Sequence, residues 1–162
     1  MTDLTGLAEQ VGEALLKRGR VLATAESCTG GWVAKLVTDV AGSSGWFDRG
    51  FVTYSNASKQ DMLGVPAETL ESDGAVSENT VTAMVSGTLH HSCADVALAI
   101  SGIAGPGGGR PGKPVGTVCF AWQQRGRAAQ VETQHFSGDR NNIRQQAVFH
   151  ALRVLLNELE RG

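Results

Sequence analysis

Residues 21–40 read VLATAESCTGGWVAKLVTDV, and this stretch decides the fold. Positions 21–25 are small and apolar around one threonine, the pattern of a short buried strand. Gly30 and Gly31 then open a helix over 31–40, in which Trp32, Val33, Leu36 and Val37 recur at helical spacing. Strand, glycine turn and helix in this order are the building unit of open α/β sheets, which gather ligands at strand ends. Ser27 stands where a nucleophile at a strand-to-helix turn would stand. Thr29, Gly30 and Gly31 lie where free backbone N–H groups and the helix dipole attract a phosphate or an oxyanion. Ser27 and Thr29 equally suit plain helix capping. The spacing is not that of the phosphate loop, because no lysine follows the glycines.

Working outward, Leu4, Leu7, Val11 and Leu15 predict an amphipathic helix over 4–19, closed by Gly19. A strand is expected over 50–54 and a short helix over 56–63, broken by Gly64 and Pro66, with a helical turn over 66–71. Ser77 stands as the N-cap of a longer helix whose Val81, Met84, Val85 and Leu89 share a face. A buried strand follows over 95–100, then a loop over 101–114 with six glycines and three prolines. Strands over 115–122 and 129–136 are joined by a hairpin turn. Asp139 caps a last helix with Ile143, Ala147, Val148, Ala151, Leu152, Leu155 and Leu159 on its core face. The expected architecture is a three-layer α/β/α sandwich with a mixed sheet, one domain over 1–162.

Composition bounds the function. A chain of 162 residues buries a core without disulfides or metal. Its 14 basic and 16 acidic residues exclude a polybasic nucleic-acid binder. The 21 glycines cluster, as they do in loops that approach a ligand closely. Cys28, Cys93 and Cys119 form no CxxC pair, and His90, His91, His135 and His150 have no partners at ligand spacing. Neither a metal site nor a disulfide framework is expected. The chain shows no leader and no apolar run of membrane-spanning length, so a cytoplasmic protein is expected, without membrane or nucleic-acid partners.

Three small-residue loops follow predicted strands and are expected to converge. Besides the Ser27 turn, the second supplies Tyr54, the only tyrosine, and Lys59, one of four lysines. A buried lysine loses its proton readily and serves as base to a serine, and a tyrosine hydroxyl donates a proton or orients the lysine. The alternative is a strand-end tyrosine and a surface lysine. The third loop brings Ser101, Gly102 and Gly105, whose backbone is free to approach a ligand. Arg140 and Arg144 stand at the start of the last helix, where the macrodipole disfavours them and a phosphate or carboxylate ligand would favour them. A solvated helix face is the other reading. Cys28 offers a thiol nucleophile, with no histidine near it in sequence.

The segments TAESCTGGWVAKLVTDVAGSSGWFDRGFVTYSNASK (24–59), GAVSENTV (74–81), SGIAGPGGG (101–109), KPVGTVCFAW (113–122) and FSGDRNNIRQQA (136–147) resemble the C-terminal domain family of the competence/damage-inducible protein CinA. They are most similar to its stand-alone amidohydrolase branch. That resemblance implies hydrolysis of the carboxamide of nicotinamide mononucleotide to nicotinic acid mononucleotide and ammonia, which feeds NAD recycling without a cofactor. It places the family's serine, tyrosine and lysine on Ser27, Tyr54 and Lys59. A homo-oligomer is expected. The competing reading is a module that binds a pyridine nucleotide as a regulatory ligand without turnover. The stretch 109–113 is longer than the motif core requires and carries no assigned role.

Overall fold

A computed structural model describes residues 3–162. Helix α1 (Leu4–Lys17) leads into β1 (Leu22–Glu26), α2 (Trp32–Thr38) and β2 (Phe47–Val52). Then come α3 (Asn56–Leu63), α4 (Ala67–Asp73), α5 (Glu78–His90) and β3 (Val96–Gly102). The hairpin β4 (Thr117–Gln124) and β5 (Gln130–His135) precedes the closing helix α6 (Arg140–Arg161). The sheet order is β2-β1-β3-β4-β5. β1 runs parallel to both β2 and β3, and β4 is antiparallel to both β3 and β5. The mixed sheet and the expected layers are present.

Strand residues alternate between two unequal faces, as the pleat requires. Leu22, Val96, Leu98, Ile100, Val118, Phe120 and Trp122 pack under α1, α2 and α6. Ala23, Ala25, Ala97, Ala99, Cys119 and Ala121 pack under α3, α4 and α5. The alanine face lets α5 lie close to the sheet. Its Gly87 lies so close to α3 that a Cβ there would overlap the Leu63 carbonyl. The core face expected for α6 is buried throughout, and Leu156 joins it. Asp139 caps that helix by accepting the Asn142 N–H at 2.8 Å.

Of the boundaries that differ from expectation, four have a direct physical reason. β2 begins at Phe47, not at 50, because an edge strand tolerates the charged Asp48 and Arg49 that hide it in the sequence. It ends at Val52, so Tyr54 lies beyond the strand. β1 extends to Glu26, whose carboxylate is satisfied internally. β3 extends through Ser101 and Gly102, paired with Cys119 and Val118, so these two residues belong to the sheet and not to the loop. Among the described residues, no helix is long and apolar enough to cross a membrane.

Candidate active site

Because β2, β1 and β3 are adjacent and parallel, their C-terminal ends open on one side of the sheet. The chain leaving β1 carries Ser27, the chain leaving β2 carries Tyr54, and the end of β3 carries Ser101 and Gly102. They meet there. The Ser27 N–H donates to the Ile100 carbonyl at 2.9 Å and ties the serine turn to β3.

Helix α3 brings in the lysine. Ser55 caps it reciprocally: its hydroxyl accepts the Ser58 N–H at 3.0 Å, and its own N–H donates to the Ser58 hydroxyl at 3.1 Å. One turn into this helix, Lys59 points inward and is completely buried. Its Nζ lies 3.0 Å from Ser27 Oγ, 2.7 Å from the Thr53 carbonyl and 3.4 Å from the Tyr54 carbonyl. Burial pulls its pKa from 10.5 down to about 8, weakly opposed by the Cys28 thiol. A neutral amine has two N–H groups and one lone pair. Here Nζ donates to the Thr53 and Tyr54 carbonyls and to Ser27 Oγ, and the Ser27 hydroxyl in turn donates to the Tyr54 carbonyl at 3.4 Å. At 3.0 Å from Ser27 Oγ, the lone pair of a deprotonated amine would be within reach of the serine proton.

Cys28 is no rival within this geometry. Its thiol is buried, and desolvation together with the Glu26 carboxylate pushes its pKa up to about 12, so it stays protonated and weakly nucleophilic.

The glycine turn is held by an internal carboxylate. Glu26, buried at the end of β1, accepts N–H groups of Val33 at 2.9 Å and Ala34 at 3.0 Å, and the Thr29 hydroxyl at 2.7 Å. The chain's own carboxylate thus satisfies N–H groups in the first turn of α2. Thr29 turns away from the cleft, and the Gly30 N–H is spent on the Ser27 carbonyl at 3.0 Å. Gly30 and Gly31 adopt φ of 61° and 104°, which the reversal of direction requires. Arg144 also departs from the ligand reading. It donates to the Cys28 carbonyl at 2.9 Å and the Thr29 carbonyl at 3.2 Å, clamping this turn from outside.

A cleft of about 320 Å³ is lined by Ser27, Tyr54, Lys59, Ser101, Gly102, Gly105 and Arg140. Arg140 donates to the Gly105 carbonyl at 2.7 Å and to the Tyr54 hydroxyl at 3.3 Å. The Tyr54 carbonyl thus faces Lys59 Nζ, while its exposed ring reaches the mouth of the cleft. Sequence reasoning missed Arg110, Ala75 and Val76, which also line it. The signal for the latter two was the small-residue run before the Ser77 cap, and for Arg110 its place within the glycine loop. The signal for Glu26 was an acid directly before a helix start. Lys59, Arg110 and Arg140 are the cleft's charged lining residues, and no carboxylate lines it. Among the described residues, no cluster of three histidine, cysteine or acidic side chains gathers in a metal-binding arrangement.

A serine–lysine pair under an anion-attracting mouth fits acyl transfer on a small anionic substrate, and comparison with known proteins leads in the same direction. Residues 4–159 match the CinA C-terminal domain. The nicotinamide-nucleotide amidohydrolase PncC of Escherichia coli K12 is 56% identical over 157 residues, covering 96% of this chain and 95% of that protein. The Pseudomonas putida protein of the same name is 49% identical over 156 residues, covering 96% and 97%. A CinA superfamily crystal structure from Klebsiella pneumoniae superposes with a TM-score of 0.95 at 42% identity, covering 99% of this chain and 100% of that one. With a match that runs from the first turn of α1 to the last of α6, the chain belongs to the CinA C-terminal domain family.

Proposed function

We propose that this protein is a nicotinamide-nucleotide amidohydrolase that converts nicotinamide mononucleotide to nicotinic acid mononucleotide and ammonia, returning the pyridine ring to NAD synthesis. The observation that carries this reading is the 3.0 Å contact between Lys59 Nζ and Ser27 Oγ in a buried setting. Relatives that bear this activity in their names, at 49–56% identity over nearly full length, support the substrate.

In this mechanism Ser27 Oγ attacks the carboxamide carbon and passes its proton to neutral Lys59. The tetrahedral intermediate collapses, the C–N bond breaks, and the proton leaves with the amine as ammonia. The exposed Tyr54 hydroxyl assists that protonation. Water then attacks the acyl-serine, giving its proton to Lys59. The acid product departs and Ser27 recovers its proton. The backbone N–H of Cys28, a cleft-lining residue, donates to no backbone carbonyl among the described residues and is the candidate to hold the oxyanion. Ser101 and Gly102 wall the acyl pocket, and the Arg140 guanidinium receives the phosphate.

Ammonia release by the purified protein, with nicotinamide mononucleotide as substrate, tests this reading. Turnover is expected. Tight binding without ammonia release would instead mark a regulatory pyridine-nucleotide module and overturn it.

A further inference from the structure

The stretch 109–113 has no role in the chemistry above, yet the structure holds it firmly. Arg110 and Lys113 face each other across a two-residue bridge. The Arg110 N–H donates to the Lys113 carbonyl at 3.0 Å, and the Lys113 N–H donates back at 2.9 Å. Between them Pro111 and Gly112 fill the two central turn positions. Proline presets its own φ there, and Gly112 adopts φ of 81°, which suits glycine alone. The turn is also anchored at a distance. Lys113 Nζ donates to the Asp73 carbonyl at 2.7 Å, fastening the loop to the end of α4, next to Ala75 and Val76 on the opposite wall.

The effect is to present Arg110 at the rim of the cleft from a braced backbone. Its guanidinium is exposed and makes no ion pair or hydrogen bond among the described residues. Arg140, the other cation at the mouth, donates to a carbonyl and a tyrosine hydroxyl and likewise meets no carboxylate. Two uncompensated guanidinium groups thus face one opening in a chain of net charge −2. Arginine's planar fork suits a phosphate, and a braced presentation lowers the entropy lost on contact.

We propose that Arg110 is a specificity-determining residue that contacts the substrate phosphate opposite Arg140, with the Lys113 anchor on Asp73 as its positioning device. This inference rests on the proposed amidohydrolase reading, since it needs a phosphate-bearing substrate. It assigns the phosphate a second cation, on a turn anchored to the end of α4.

The test compares nicotinamide mononucleotide with nicotinamide riboside, which lacks the phosphate. Arg110→Ala is expected to lower kcat/KM for the mononucleotide about tenfold, the low end for a charge-assisted contact because the site is open to water. Use of the riboside should change less than about twofold, as expected for a side chain that touches only the phosphate. Lys113→Met should reproduce part of the selective loss, and Lys113→Arg should restore it. Binding is measured separately in a Ser27→Ala background, where Arg110→Ala should weaken affinity for the mononucleotide and leave the riboside unaffected. Circular dichroism checks that each variant folds, and Arg110→Lys, which keeps the charge, should lose less than Arg110→Ala. Equal losses on both substrates, or none on either, with the wild type active on the mononucleotide, would overturn the role of Arg110 alone. Absence of wild-type turnover would overturn the underlying activity and this inference together.

Discussion

Lys59 should leave its mark on stability as well as on rate. In the folded protein burial lowers its pKa to about 8, against 10.5 for an ordinary lysine. Near neutral pH the lysine is protonated in both folded and unfolded chains, and the full cost of burying the charge is present, about 3 kcal/mol. Between the two pKa values the unfolded state binds more protons than the folded state, so stability rises with pH across that window. From about pH 7 to about pH 9.5 the recovered part amounts to about 2 kcal/mol. Lys59→Met removes the titration while keeping the chain length. It leaves the Thr53 carbonyl without its donor, a cost that does not vary with pH. Urea unfolding of both proteins at the two pH values isolates the effect. The stability of wild type relative to Lys59→Met should increase by about 2 kcal/mol between them. Catalysis should follow the same ionisation, with kcat rising through a midpoint near 8 as Lys59 becomes a free base. A stability difference that stays constant with pH, together with a flat rate profile, would refute the reasoning, because the buried amine would then carry no titrating charge in this range.

Ser27→Ala is expected to abolish ammonia release with the fold intact, whereas Cys28→Ala should retain most of it, since the thiol is held at about 12; steady-state rates of both decide the nucleophile. Arg140→Ala should cut kcat/KM on the mononucleotide about tenfold to a hundredfold. Its loss on the riboside should be smaller, arising from the freed Gly105 carbonyl and Tyr54 hydroxyl, and equal losses would make Arg140 a structural residue. Gly87→Ala gains helix propensity, yet its Cβ would collide with the Leu63 backbone, so denaturant unfolding should show a net loss of about 2 kcal/mol. An unchanged or raised stability would mean that α3 and α5 are free to part.

The sequence by itself determined the order and type of the elements. Runs such as Val81, Met84, Val85 and Leu89, or the α6 face from Ile143 to Leu159, carry their period in consecutive residues, so local spacing suffices to read them. It also singled out Ser27 and Lys59, because a serine at a strand-to-helix turn and a lysine shortly after another strand are local patterns. Only the tertiary structure brought them to 3.0 Å of each other, since parallel strands bring three chain-distant loops to one sheet edge. The charged start of β2 was hidden because an edge strand is defined by the neighbour it lacks, which no local pattern records. The α2 N-terminus read as either an anion site or a plain cap, and the fold satisfies its first turn with Glu26, whose direction depends on the strand's pleat. Tyr54 was expected to donate a proton or to orient Lys59 through its hydroxyl. The end of β2 at Val52 directs its carbonyl to the lysine and its hydroxyl to Arg140, because the chain leaves the sheet before reaching that residue. Residue types are written in one dimension, but which atom of a side chain or backbone faces the cleft is fixed by packing between segments far apart in the chain.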